Sequence, residues 1–185
     1  MEKNYQRKYL RAPLSGGVLF SIDEHLHQAL AVNISEGGIL LDGLPFDPGS
    51  ATLFGLICLP DFPEFKNLNK RQIHQFNPAM IHHRVIKFQA QVVRTAKTSV
   101  NSLHRHQTAV EFLMIDERKR LTISEYVEKT QSNLILLLSL FEKLKTQDEQ
   151  MSQLWPILQH LGYPTFLAAD VLEERIKKEY QNLVW

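Results

Sequence analysis

Two arginines near the start of the chain are spaced to bind a compact anion. Arg7 and Arg11 form an R-x-x-x-R pair just ahead of the first apolar segment. Four residues of extended chain span about 13 Å, so the two side chains can reach opposite sides of a small dianion. A guanidinium presents a planar fork of donors to phosphate oxygens or to the O6/N7 edge of guanine. The pair therefore predicts a phosphate-binding site.

A second polar cluster interrupts an apolar stretch in the sequence "AVNISEGGILL". Asn33 and Ser35 are two residues apart on a predicted strand, so their amide and hydroxyl groups lie on the same face, while Ile34 points to the core. Gly37 and Gly38 permit a positive φ and let a ligand approach the main chain closely. This pattern predicts a notch that receives a small polar ligand.

The sequence contains no recognisable catalytic arrangement. It has no Ser/His/Asp set, no P-loop and no G-x-G-x-x-G fingerprint, so we predict that the protein is not an enzyme and has no catalytic residues. The histidines include two H-x-H pairs, at 25/27 and 104/106, and such a pair can chelate zinc from one face of a strand. Because the only cysteine is Cys58 and no acidic residue is suitably spaced, we predict neither a metal site nor a cofactor. We expect Cys58 to be a small core residue.

Composition and charge limit the class of protein. A chain of 185 residues with 44% hydrophobic residues can build one sizeable core and a smaller appendage. The net charge of +1 creates no overall field for DNA or an anionic membrane. The polar N-terminus does not resemble a signal peptide, and the longest apolar run, at 134–141, is far shorter than the roughly 20 residues that span a bilayer. We therefore expect a cytoplasmic protein without membrane insertion.

Six short segments have the character of β-strands. They are rich in β-branched and aromatic residues and are bounded by turn-forming residues. In "FQAQVV", Phe88, Ala90 and Val92 alternate with Gln89 and Gln91, which is typical of an antiparallel strand with one buried face. The pattern predicts a mainly β fold with added helices, built on a closed or partly closed barrel. The predicted strands are 16–22, 28–35, 37–43, 51–59, 86–95 and 107–115.

The stretch 60–84 interrupts this series of strands. It contains three prolines and no clear hydrophobic period. A connection of this length in a compact domain is usually either functional or disordered, and the sequence leaves both readings open.

Helical spacing begins after Asp116, which we predict as the N-cap of the first helix. Thr146 and Glu149 have capping-box spacing for a second helix, "GYP" at 162–164 ends that helix, and Thr165 is the predicted cap of a third. The two apolar stripes are Leu134, Leu137, Leu138, Phe141 and Leu144, then Met151, Leu154, Trp155, Leu158 and Leu161. We predict a β-barrel domain at 1–130 and a helical extension at 131–185. The extension either packs internally or mediates self-association or docking to a protein partner.

The order of these features resembles the PilZ domain, the bacterial receptor module for cyclic di-GMP. The family signature is R-x-x-x-R followed by [D/N]-x-S-x-x-G, which "RKYLR" and "NISEGG" match, and the resemblance covers roughly residues 5–130. It implies a six-stranded antiparallel barrel with a closing helix, and a cyclic di-GMP ligand wrapped by the N-terminal segment. The residues that match the ligand-binding positions of the family are Arg7, Arg11, Asn33, Ser35 and Gly38.

Two functions of different class follow. In the first, the protein is a cyclic di-GMP receptor that signals to a protein partner, in a family associated with motility and biofilm regulation. In the second, it is a protein-interaction or RNA-binding adaptor that keeps the barrel as a scaffold. The stretch from Lys66 to Val110, with eight Lys/Arg, five His and no acidic residue, would then be the contact surface. Binding through it would weaken steeply with salt.

Overall fold

The computed structural model describes residues 8–44, 46–100, 103–144 and 151–184, with the backbone alone at 98–100, 103–105, 144, 151, 152 and 184. Six antiparallel strands form a closed barrel in the order β1-β2-β3-β6-β5-β4. The predicted six-stranded antiparallel barrel is therefore confirmed. The strands are β1 (Ala12–Ile22), β2 (His25–Ser35), β3 (Gly38–Leu44), β4 (Thr52–Pro60), β5 (His83–Val100) and β6 (Leu103–Met114).

The strands alternate between core and solvent. In β5, Phe88, Ala90 and Val92 are buried while Gln91 is exposed, as the sequence predicts. In β4 the buried positions are the odd-numbered ones from 53 to 59, and so Cys58 points outward. The prediction that Cys58 is a core residue is wrong, because its position in the alternation of β4 outweighs its apolar character.

Within the described ranges, four helices and two 3₁₀ turns accompany the barrel. The helices are α1 (Lys70–Gln75), α2 (Glu117–Leu144), α3 (Met151–His160) and α4 (Ala169–Val184), and the 3₁₀ turns are Phe65–Asn67 and Pro78–Met80. Among the described residues, no helix has both the length and the apolar character that crossing a membrane requires.

The predictions of helix ends are confirmed at Asp116 and Gly162 and wrong at Thr165. Asp116 caps α2, because its Oδ1 accepts a hydrogen bond from the Lys119 backbone N–H at 2.9 Å. Gly162, with φ of +79°, follows α3 as predicted for a terminating glycine. Thr165 is not a cap: the Leu167 N–H bonds to the Pro164 carbonyl at 3.3 Å, and this turn delays the start of α4 to residue 169. The capping box at 146–149 lies outside the described residues.

The first part of α2 closes one end of the barrel. Ile123 and Val127 are buried. The Tyr126 hydroxyl donates to the carbonyl oxygen of Pro13, at the start of β1, at 2.8 Å. Glu125 forms an ion pair of 2.8 Å with Arg84 at the start of β5. The predicted closing helix is thus present.

The chain divides into two compact units, each made of two segments. The first comprises Met1–Pro60 and His83–Val127, and the second comprises Asp61–His82 and Glu128–Trp185. Each unit has its own buried residues. The core of the second unit consists of Phe65, Ile73, Leu134, Leu137, Leu140, Phe141, Leu154, Ile157, Leu158, Leu172, Ile176 and Leu183.

Residues 61–82 are ordered and belong to the core of the second unit. Asn133 of α2 is 1% exposed; its Oδ1 accepts from the Phe65 N–H and its Nδ2 donates to the Pro63 carbonyl, both at 3.0 Å. The buried His160 of α3 shares a hydrogen bond of 2.9 Å between its Nε2 and the Ile73 carbonyl. The stretch that the sequence left open between functional and disordered is a folded part of the second unit.

Candidate functional site

The candidate site lies at the barrel end where β1 begins and the β2–β3 hairpin turns. Ala12 of β1 pairs with Ile34, and Ser35 pairs with Gly38 across the hairpin. Arg11 is half-buried and directly precedes Ala12, so the antiparallel register continued by one residue places it opposite Ser35. Arg7 lies outside the described residues.

A β-bulge in β2 determines which way the asparagine points. Ala31 pairs with Leu41 and Asn33 with Leu40, so Val32 is an extra residue on β2. Ala31 and Ile34 are both buried, although a regular strand would place residues three apart on opposite faces. The bulge therefore returns Ile34 to the core and turns Asn33, which is half-buried, away from it.

Ser35 and Glu36 hold the hairpin turn in place. The Ser35 hydroxyl, in a residue that is 6% exposed, donates to the carbonyl oxygen of Gly38 at 3.3 Å. The Glu36 carboxylate accepts a hydrogen bond of 3.2 Å from the hydroxyl of Ser124 on α2. The turn is thus connected to the helix that closes this end of the barrel.

Gly37 and Gly38 are glycines for different structural reasons. Neither is among the residues with positive φ, so the backbone freedom that glycine permits is not the reason for glycine at these positions. A Cβ added to Gly38 would lie 2.1 Å from the carbonyl oxygen of Val110 on β6. Glycine is needed at 38 because the neighbouring strand approaches too closely for any side chain.

Gly37 instead faces an aromatic ring. A Cβ added to it would lie 2.8 Å from Cδ2 and 3.1 Å from Cε2 of Tyr9. Tyr9 is the central residue of the R-x-x-x-R segment, and the Lys8 ammonium lies 5.0 Å from the centroid of its ring. Sequence reasoning missed Tyr9, and an aromatic residue between two arginines, with a glycine pair in the second motif, was the signal available.

The charges around the turn are mixed. Lys8 is exposed and, with Arg11, brings positive charge, whereas Glu36 and the exposed Glu111, which pairs with Gly38, bring negative charge. Among the described residues, no group of three His, Cys, Asp or Glu side chains is arranged to hold a metal ion.

The three comparisons with known proteins gave one family and several related structures. The model of the PilZ domain family matches residues 5–129, which is more than half of the chain. No curated protein gave a significant match to the sequence.

The solved structures that resemble this one include proteins from three bacterial species. The inhibitor of motility MotI/DgrA of Bacillus subtilis superposes with a TM-score of 0.51 and 24% identity over 69% of this chain and 52% of that one. This chain therefore spans about half the length of that protein. The PilZ domain of YcgR from Escherichia coli, solved with c-di-GMP, gives a TM-score of 0.45 and 12% identity over 77% of this chain and 98% of that one. The MrkH–c-di-GMP complex of K. pneumonia gives a TM-score of 0.41 and 13% identity over 77% of this chain and 56% of that one.

The likeness to MotI/DgrA supports the barrel fold, and the family match covers the barrel and the start of α2. Both signature motifs fall within the matched residues. The chain belongs to the PilZ domain family.

Proposed function

We propose that this protein is a receptor for cyclic di-GMP and binds the dinucleotide at the turn between β2 and β3. The observation that carries the proposal is the meeting of two motifs that are far apart in the sequence. Tyr9, inside the R-x-x-x-R segment, lies against Gly37, inside the N-x-S-x-x-G segment. A site made by both motifs would combine their different binding groups.

The arginines supply the charge-assisted contacts. Cyclic di-GMP carries two negative charges and two guanines, and an arginine can bind either a phosphate or the O6/N7 edge of a guanine. Arg11 stands opposite Ser35 by register, and Arg7 is four residues earlier in the chain. Hydrogen bonds to charged groups contribute roughly 1.5–3 kcal/mol each, so two arginines are enough for a large share of a micromolar affinity.

The hairpin supplies the neutral contacts. Asn33 is turned away from the core by the bulge at Val32, and its amide offers both donors and an acceptor to a base. We propose Asn33 as a guanine contact, while Ser35 and Gly38 act mainly by keeping the turn in shape. The binding set is then Arg7, Arg11 and Asn33 on a frame made by Ser35 and Gly38.

We further propose that the bound nucleotide changes what the protein presents to a protein partner. Glu36, in the turn, accepts a hydrogen bond from Ser124 of α2, so a ligand that moves the turn acts directly on this helix. Such signalling requires that the partner-competent state bind the nucleotide more tightly than the other state. The helices of the second unit are the proposed docking or self-association surface, and the protein would act as a binding module rather than as an enzyme.

A calorimetric titration with cyclic di-GMP tests the proposal, with GTP and cyclic GMP as controls for the nucleotide. We expect micromolar or tighter binding of the dinucleotide alone. Arg7→Ala and Arg11→Ala should each weaken binding by roughly 10- to 100-fold. Arg71→Ala is the matched control, because Arg71 is an exposed arginine of α1 in the second unit.

Three results would count against the proposal. Unchanged affinity in both arginine variants would show that these arginines do not bind the nucleotide. A loss in Arg71→Ala equal to theirs would show that the effect comes only from net charge. An absence of nucleotide binding together with strongly salt-dependent binding of RNA would instead support the adaptor function.

A further inference from the structure

We infer that Tyr9 is a positioning residue for the ligand: its ring docks on Gly37 and holds the arginine-bearing segment against the β2–β3 turn. The inference rests on the proposed function, since it assigns a role at that site to Tyr9, which occupies one of the unspecified positions of R-x-x-x-R. Its basis is the contact of the ring with the glycine, where an added Cβ would lie 2.8 Å from Cδ2. Real Cβ atoms do not come that close to a carbon atom, so the ring occupies space that only glycine leaves open.

The backbone gives no other reason for glycine at position 37. Gly37 is outside the positive-φ set of Gly43, Gly49 and Gly162, so alanine can adopt its conformation without strain. Apart from the Tyr9 ring, the nearest atom to the added Cβ is the Ser35 Oγ at 3.9 Å, an ordinary contact. A side chain at this position therefore displaces the ring and leaves the turn as it is.

The position of Tyr9 suits a docking point. It is two residues from Arg7 and two from Arg11, so a fixed ring limits the freedom of both side chains at once. Arg11 is also held by its connection to β1 at Ala12. Docking before the ligand arrives lowers the ordering cost of binding, which is the general effect of preorganisation.

The ring contact also predicts that the effects of substituting Tyr9 and Gly37 on ligand binding depend on each other. If Gly37 matters only because it accepts the ring, then losing the ring makes the glycine dispensable. The effects of the two substitutions on binding should consequently overlap rather than add.

A double-mutant cycle measured by calorimetry with cyclic di-GMP tests this inference. We expect Gly37→Ala and Tyr9→Ala each to weaken binding by about tenfold, and the double variant to bind no more weakly than either single one. Tyr9→Phe, which keeps the ring, should bind like the wild type. Gly16→Ala is the matched control, because a Cβ added to Gly16 of β1 meets nothing within 4 Å.

A second readout without nucleotide separates this inference from the proposed function. Trypsin should cut the Arg11–Ala12 bond of the native protein several-fold faster in Gly37→Ala and Tyr9→Ala than in the wild type, Tyr9→Phe or Gly16→Ala. If the wild type does not bind cyclic di-GMP, the receptor function fails and the cleavage rates alone decide on the docking of Tyr9. Three results would each overturn the inference. They are equal cleavage rates in all the variants and the wild type, a loss of affinity in the double variant equal to the product of the two single losses, and tighter binding by Tyr9→Ala.

Discussion

A Cβ on Gly38 would lie 2.1 Å from the carbonyl oxygen of Val110, so the signature glycine is required by the pairing of β3 with β6. Gly38 pairs with Glu111, directly after Val110 on β6. The residue thus contributes through the fold, by letting two strands meet closely beside the β2–β3 turn that we propose as the binding site.

Gly38→Ala should therefore reduce the stability of the barrel. Because the opposing atom belongs to backbone, the clash can be relieved only by separating the strands, and we expect a loss of at least about 2 kcal/mol in the free energy of unfolding. Denaturation by urea measures it, with Gly16→Ala as the control. A Gly38→Ala protein as stable as the control would contradict the close approach of the two strands.

Asn33→Ala should weaken the binding of cyclic di-GMP by about tenfold, because a base would lose its amide partner. Asn33→Asp is the matched variant, since the family signature accepts either residue, and it should retain most of the affinity. Calorimetry on folded protein measures both. Unchanged affinity in Asn33→Ala would show that the ligand does not use this side chain. An equal loss in both variants would show that it recognises the amide nitrogen rather than the side-chain oxygen that Asn and Asp share.

Asn133→Ala should destabilise the second unit. The substitution leaves the Phe65 N–H and the Pro63 carbonyl without their partner, and each buried unsatisfied group costs about 1–3 kcal/mol. Hydrogen exchange at residues 61–82 should show faster exchange than in the wild type. The exposed Asn67 provides the control, and Asn67→Ala should change stability by less than about 0.5 kcal/mol. Similar exchange in both variants would argue against the role of Asn133.

The start of α2 should respond to acid through Asp116. Hydrogen bonds from the Lys119 side chain and backbone hold the pKa of the Asp116 carboxyl below its ordinary value of 3.8. Since the folded pKa is lower than the unfolded one, the ionised carboxylate stabilises the fold above pH 3.8, and this contribution is lost as the pH falls through the folded pKa.

Asp116→Asn isolates this charge, because asparagine keeps an oxygen that can cap the helix. We expect the variant to be less stable than the wild type at neutral pH and the difference to shrink as the pH falls below 3.8. Thermal unfolding followed across this pH range provides the measurement. A difference that does not change with pH would show that the charge of Asp116 makes no contribution.

The strands and the long helix could be predicted because their information is local. The alternation in "FQAQVV", the cap at Asp116 and the glycine at 162 each act within a few residues. The lack of glycine and proline between Pro78 and Pro156 likewise favours an uninterrupted α2.

The features that could not be predicted depend on contacts between distant residues. The bulge at Val32 follows from pairing with β3, and the outward direction of Cys58 follows from the register of β4. The ring of Tyr9 meets Gly37 only once β1 and β2 are paired. Of the predicted site residues, Arg7 lies outside the described residues, so its role stays a prediction.

The hydrogen bonds of Asn133 have a practical consequence for anyone who shortens the chain. A fragment that stops at residue 130 keeps Phe65 and Ile73 but discards the asparagine and the leucines that bury them. Such a fragment would expose the apolar residues of an incomplete core and would aggregate, even if its barrel folded correctly. Excising the barrel alone requires a shorter linker in place of 61–82 as well as a new C-terminus.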